Sequence, residues 1–368
     1  MDAERQLFRR FPGLRPAVPW LPLGTFPSPV ERMARLGARL GCDRLFVKRD
    51  DLAGEPYGGN KVRKLEFTLA DARRRGADRI VTVGAVGSNH LLATTVYAPH
   101  IGASAVGIVV PQPVQQYVRT NVLSDLALGC QIRPAPSLPC AAAELVATMA
   151  RERLGGRRRS YFLWAGGSSA LGVLGYVEAG LEIAAQVQGG LLPEPEWAFV
   201  PVGSGGTLAG LVLGLRLAGL RTRPIGVCVY ARPATSAWTV ALLANLAARY
   251  LRRCDRAVPR MRVRPAEIEL LGGYLGPGYA HYTRRGVQAV ELARDLECLA
   301  LEGTYSGKCL AAFIDFVSAP ERRGAAALFV NTYNSRPLAP LLAGAPRPEA
   351  LPAPLRRYFE EPIAAVRE

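Results

Sequence analysis

Trp197-Ala198-Phe199-Val200-Pro201-Val202 runs directly into Gly203-Ser204-Gly205-Gly206-Thr207-Leu208-Ala209-Gly210, and this passage decides the fold class. A short apolar run, a small-residue loop and then a helical stretch from Thr207 to Leu217 read as one strand-loop-helix step of a parallel sheet. Two other strands end in the same way, in Gly84-Ala85-Val86-Gly87-Ser88-Asn89-His90 and in Gly166-Gly167-Ser168-Ser169-Ala170. Alone, a Gly-Ser-Gly-Gly-Thr loop serves as a tight turn as readily as a phosphate cradle. Three such loops at the carboxyl ends of strands point to a ligand, and free N–H groups with a helix dipole favour a phosphate there. The third loop is the best cradle. It lacks the Gly-Lys-Ser/Thr ending of a nucleotide-triphosphate loop and does not spell GxGxxG.

The rest of the chain repeats that alternation from about residue 43 onward. Strands are expected at Ile80–Val83, Ala105–Val110, Tyr161–Trp164, Trp197–Val202, Ile225–Tyr230 and Ala327–Val330. Helices are expected at Lys61–Arg75 behind an Asn60 cap, Leu91–Ala98, Ala141–Arg153, Leu171–Gln186, Thr239–Arg252, Arg284–Leu296 and Gly307–Phe316. The Pro-rich segments Phe11–Pro29 and Ala345–Pro354 read as loose, and no internal repeat is visible.

The 368 residues carry 46 Lys plus Arg against 30 Asp plus Glu, a net charge of +16, and 49% are hydrophobic. That excludes a disordered or collagenous chain and leaves one large or two medium domains. The positive charge invites a nucleic-acid reading. However, the arginines fall in short clusters, such as Arg73–Arg75 and Arg157–Arg159, with acids between them and no nucleic-acid-binding signature. A solvated arginine-rich surface is expected instead. No apolar run reaches membrane-spanning or signal length, so a cytoplasmic protein without membrane contact is expected. Seven cysteines without a CxxC pair read as reduced thiols, and three histidines leave no metal cluster to expect.

Only four of the cations are lysines: Lys48, Lys61, Lys64 and Lys308. An amine that forms a Schiff base with a cofactor aldehyde, beside a loop that holds its phosphate, would complete a pyridoxal phosphate site. Lys61, in Gly58-Gly59-Asn60-Lys61 at the opening of a helix, is the leading candidate, because a helix dipole and partial burial would lower its pKa. Lys48, in Lys48-Arg49-Asp50-Asp51, is expected to make surface or structural ion pairs. Lys64 is expected to point outward on the helix of Lys61, and Lys308 to open a later helix.

Seven strings occur in order: Lys48-Arg49-Asp50-Asp51-Leu52, Gly58–Phe67, Ser88-Asn89-His90, Gly166–Gly172, Gly203–Gly210, Gly276-Pro277-Gly278-Tyr279 and Tyr305-Ser306-Gly307-Lys308. Together they resemble the D-cysteine desulfhydrase and 1-aminocyclopropane-1-carboxylate deaminase family of pyridoxal phosphate enzymes, over residues 15 to 340. The resemblance implies the tryptophan synthase β-like, fold type II architecture: an α/β chain of two three-layer α/β/α domains. A large cofactor-binding domain would comprise 1–54 plus 162–368, and a small inserted domain 55–161.

It further implies that Lys61 is the Schiff-base lysine and the base that moves the substrate α-proton. Ser88 and Asn89 would hold the substrate carboxylate and the cofactor ring hydroxyl. Gly203, Ser204, Gly205, Gly206 and Thr207 would bind the phosphate, and Tyr279 and Tyr305 would line the substrate pocket. A small amino acid would be the substrate, and a homodimer the assembly.

The departures from the family cluster around the pocket. Where cyclopropane deaminases carry a glutamate facing the pyridine nitrogen, this chain has Ser306; the usual glutamine before Ser-Asn is Gly87, followed beyond the histidine by Leu91-Leu92-Ala93. Asn331-Thr332-Tyr333-Asn334 replaces a His-Thr-Gly-Gly loop, so Ser306 and Thr332 become candidate partners of the pyridine nitrogen. A neutral partner suits α,β-elimination to a keto acid and ammonia better than cyclopropane ring opening. β-Replacement, cyclopropane deamination and a non-catalytic amino-acid or cofactor binder stand as the alternatives.

Overall fold

The computed structural model describes residues 4–154 and 159–368, so Met1–Ala3 and, in the Arg157–Arg159 cluster, all but Arg159 lie outside the described residues. The strands are β1 (Val30–Arg32), β2 (Leu45–Lys48), β3 (Arg79–Ala85), β4 (Ser104–Val110), β5 (Gln131–Pro134), β6 (Ser160–Leu163), β7 (Trp197–Val202), β8 (Arg223–Cys228), β9 (Glu269–Leu271) and β10 (Ala327–Val330). The α-helices are α1 (Gln6–Arg10), α2 (Ala34–Leu40), α3 (Asn60–Arg74), α4 (Asn89–Tyr97), α5 (Gln116–Ala127), α6 (Leu138–Leu154), α7 (Leu174–Gln188), α8 (Gly206–Ala218), α9 (Ala237–Cys254), α10 (Arg284–Glu297), α11 (Ser306–Val317) and α12 (Ala353–Glu360).

One compact unit takes the residues up to Phe67, Ser168–Arg336 and Val366–Glu368, and a smaller one takes Thr68–Gly167 and Pro337–Ala365. These junctions differ from the division at 54/55 and 161/162 for identifiable reasons. The opening of α3 stays with the larger unit because Gly58 N donates to Asn334 Oδ1, Gly59 N to Asp50 O and Asn60 N to Thr332 O. β6 stays with the smaller unit because it pairs in parallel with β3. Residues 337–365 join it through Leu351, Leu355 and Tyr358, which are buried in one cluster with Val114, Val118 and Val122.

The larger unit holds a six-stranded sheet in the order β1-β2-β10-β7-β8-β9, parallel except for β1. All of β7 and β10 is buried, which is why both read as continuous apolar runs. Their side chains alternate between two cores: Ala198, Val200, Leu328 and Val330 pack with α7, α8 and α9, while Trp197, Phe199, Ala327 and Phe329 pack with α10 and α11. The sheet is therefore covered on both faces, the three-layer arrangement expected of it. The smaller unit has a four-stranded parallel sheet, β5-β4-β3-β6, whose strand β4 sends Ala105 and Val109 to one core and Val106 and Ile108 to another.

Several local expectations shift. Asn60 is the first residue of α3 rather than a side-chain cap; its Nδ2 donates to Thr207 Oγ1 at 3.2 Å. β8 ends at Cys228, and α7 begins at Leu174, after a turn in which Ser169 Oγ accepts from Gly172 N. The Pro-rich stretch from Ala345 leads into α12 instead of remaining loose. Elements that short or mixed sequence patterns concealed include β2, β5, β9, α5 and α12. Among the described residues no helix is long and apolar enough to cross a membrane, and the cysteines are unbridged.

Candidate active site

The larger unit gathers the lysine and the glycine loop. β7 ends at Val202, Gly205 takes the left-handed conformation at φ +81°, and α8 opens at Gly206. Ser204 Oγ and Ser168 Oγ lie 2.7 Å apart, and Gly206 N donates to Ser168 Oγ at 3.2 Å. A Cβ placed on Gly206 would stand 2.5 Å from Ser168 Oγ and 3.2 Å from Lys64 Nζ. Only glycine leaves that space open, and it is bordered by hydroxyls, a helix N-terminus and the Lys64 amine. That donor set fits a phosphate.

The start of α8 is tied to the start of α3 by the Asn60–Thr207 hydrogen bond, which sets Lys61 beside the loop. Burial lowers the Lys61 amine to about 8. Lys64 is buried, contrary to the outward placement expected of it, and burial followed by the charge of Lys61 pushes its amine well below the usual lysine range. The signal for this was in the sequence: residues three apart share a helix face, so a lysine three after an inward-facing one also faces inward.

The other two lysines explain themselves. Lys48 is buried and donates to Glu182, Gln186 and the Ser28 carbonyl. Arg63 reaches Asp50 at 2.7 Å and Glu182 at 3.0 Å, and the Tyr176 hydroxyl donates to Asp50 at 2.6 Å. Lys48 and Asp50 of the Lys-Arg-Asp-Asp string thus belong to a buried structural network. Although burial works to raise the Asp50 carboxyl, Arg63 outweighs it and holds the group at about 2. Lys308 donates to the Leu275 carbonyl at 2.7 Å, and burial, opposed by Glu302, lowers it to about 8.

The phenols form a second group in the same unit. The Tyr279 and Tyr305 hydroxyls are 2.7 Å apart, the Tyr230 ring meets Tyr279 edge-on at 5.0 Å, and a Cβ on Gly203 would touch the Tyr305 ring at 3.4 Å. The expected pocket tyrosines therefore do adjoin the phosphate loop. Burial, then Tyr305, pushes the Tyr279 hydroxyl well above its ordinary range, so it works as a neutral donor and acceptor. Glu302 was not anticipated. Its buried carboxylate accepts from the backbone N–H of Thr304, Tyr305 and Ser306, capping the start of α11. Ser306 Oγ accepts from Glu302 N at 2.9 Å and lies 3.3 Å from Glu302 O. Thr332 supplies the carbonyl that accepts from Asn60 N, so the altered late loop holds the lysine-bearing turn.

In the smaller unit, β3 leads through Val86-Gly87-Ser88 into α4. Ser88 caps that helix, its Oγ accepting from Leu91 N at 3.2 Å, which leaves the hydroxyl proton for an anion. Asn121, also not anticipated, donates to Asn89 Oδ1 at 2.9 Å and to the Gly87 carbonyl at 3.0 Å.

Comparison with known proteins agrees with this chemistry. Residues 21–332 match the family model described as pyridoxal-phosphate dependent enzyme. The chain is 36% identical over 305 residues to a D-cysteine desulfhydrase of Klebsiella pneumoniae, covering 82% of this chain and 89% of the relative. A crystal structure of an ACC deaminase homologue superposes with a TM-score of 0.77 at 30% identity, over 91% of this chain and 96% of the other. The processed form of threonine deaminase isoform 2 from Solanum lycopersicum, at 17% identity, TM-score 0.58 and coverages of 91% and 88%, shares the fold.

Proposed function

This chain belongs to the pyridoxal-phosphate dependent enzymes, of fold type II, and we propose that it eliminates the β-substituent of a small amino acid of the D-cysteine class. For cysteine the Cα–H and Cβ–S bonds break and water is consumed, giving pyruvate, ammonia and hydrogen sulfide. One observation carries the reading: a lysine amine lowered to about 8 stands beside a phosphate-shaped loop that a second, buried lysine borders. Bound there, pyridoxal phosphate supplies an aldehyde for an amine and an electron sink for the substrate α-carbon.

The chain's own residues take the remaining roles. Gly203–Thr207 and Lys64 would hold the phosphate, the loop through backbone N–H groups and the lysine through its amine. With its pKa near 8, Lys61 accepts the α-proton at neutral pH and returns it elsewhere, the poise a general base needs. The paired hydroxyls of Tyr279 and Tyr305 give a short path for a proton to the departing sulfur. With the cofactor bound, Ser88 would donate to the substrate carboxylate and Asn89 to the cofactor ring hydroxyl. Ser306 and Thr332 are the candidate partners of the ring nitrogen, and a neutral partner there would favour elimination over cyclopropane ring opening. A cytoplasmic homodimer completes the proposal: free cysteines suit a reducing compartment, and the family resemblance supplies the dimer.

Purified protein should absorb near ~410–430 nm and release a keto acid from D- or L-cysteine without a second substrate, and Lys61→Ala should abolish both, with turnover down at least ~1000-fold. Strict dependence on an added thiol or amine would replace elimination by β-replacement. Sedimentation as a monomer would remove the dimer.

A further inference from the structure

The stretch Pro337–Ala365 follows the last residue matched by the family model, 332, and folds with the smaller unit. Its helix α12 buries Leu355 and Tyr358 in the cluster that contains Val114, Val118 and Val122. Polar bonds fasten it along its length. Arg119 of α5 donates to the Tyr358 and Glu361 carbonyls, each at 2.8 Å, and Ala364 N donates to the Val114 carbonyl at 2.8 Å.

The buried Tyr358 hydroxyl accepts from Gln112 N at 3.1 Å and from Arg357 at 3.1 Å. Gln112, in the connection between β4 and α5, reaches onward with its side chain. Its Oε1 accepts from Gly87 N at 3.0 Å, and its Nε2 donates to the Tyr117 hydroxyl at 2.8 Å. Asn121 takes the Gly87 carbonyl from the other side. A Cβ on Gly87 would meet Val118 Cγ2 at 2.7 Å, so α5 is packed directly onto this loop. The glycine just before Ser88 and Asn89 therefore has both its N–H and its C=O clamped by amide side chains, and one of those amides is itself seated on the C-terminal segment.

We propose that Gln112 is a positioning residue for Ser88 and Asn89, and that the C-terminal helix holds Gln112 in place through Tyr358. Fixing Gly87 removes loop freedom that binding would otherwise have to freeze, so the effect falls on substrate affinity. The functional half of this inference rests on the roles given above to Ser88 and Asn89.

The test uses the full-length holoenzyme and reads two quantities: amide hydrogen exchange at residues 86–89, and KM and kcat for keto-acid release. Gln112→Met should cost about ten-fold in exchange protection and raise KM about ten-fold, the worth of roughly one hydrogen bond, with kcat within two-fold. Gln112→Glu, which keeps the acceptor for Gly87 N and reverses the second bond so that the Tyr117 hydroxyl donates, should restore both. Tyr358→Phe, two links away, should move both in the same direction by about three-fold. Unchanged protection at Gly87 in Tyr358→Phe and Gln112→Met, or lost protection with KM unmoved, would overturn the inference. A wild-type chain that releases keto acid from no amino acid would sink the proposed function instead, and exchange at Gly87 would then decide the positioning role by itself.

Discussion

Arg63 and Lys64 are neighbours in the chain and both are buried, yet the two sides of α3 that they occupy set a buried cation in different surroundings. On the Arg63 side, Asp50 and Glu182 surround the guanidinium and Lys48, with Ser28, Gln186 and Tyr176 filling the remaining bonds. Charge there is compensated inside the protein. On the Lys64 side, what acts on the amine is burial and the repulsion of Lys61, next to a loop of N–H groups and hydroxyls. That places the Lys64 amine at the edge of the Gly206 cradle, where an anion would meet it. A cluster of named acids thus marks a structural site and a glycine cradle marks a binding site, although both strings look equally basic in the sequence.

The sharpest way to break this comparison is Glu182→Ala, which strips the carboxylate from two buried cations and should cost about 3–5 kcal/mol in urea or thermal unfolding. A loss below ~1 kcal/mol would mean that pairing is not what holds the Arg63 side together. Acid should expose the same side next. Because Asp50 titrates at about 2 when folded, below its ordinary 3.8, its stabilisation is present above pH ~4 and is lost as pH falls through about 2. The stability gap between wild type and Asp50→Asn should accordingly narrow by about 2 kcal/mol between pH 5 and pH 2, read from urea midpoints.

On the other side, Lys64→Met should weaken pyridoxal phosphate binding about ten-fold in an absorbance titration. Binding within two-fold of wild type would remove Lys64 from the cradle. Finally, capture of pyridoxal phosphate by the stripped protein needs the neutral Lys61 amine. With a pKa of about 8, about a tenth of that amine is neutral at pH 7, so capture should be about ten-fold faster at pH 9 than at pH 7.

Much of the candidate site is legible in the sequence. Lys61 stood out because lysines are scarce and because glycine loops announce a turn into a helix, both local properties of the chain. The phosphate loop and the paired tyrosines were readable for the same reason, as short strings with a chemistry of their own. The inward face of Lys64 is legible from its spacing to Lys61, whereas what it borders there, Gly206, lies 142 positions away in the chain. The C-terminal segment was read as loose since prolines obscure the single amphipathic helix that follows them. Its binding partners, Val114 and Val118, give no sign of it in their own surroundings.

Strand and helix periodicity, the turn-forming glycines and the supply of amines belong to the sequence by itself, because each is settled within a few residues by backbone sterics and by which face must leave water. Which buried cation meets a cluster of acids and which borders the glycine cradle, and which amide clamps the loop before Ser88, were decided only by the tertiary structure. Those outcomes depend on what stands across a contact from distant parts of the chain, and a charge or an amide takes its meaning from that neighbour.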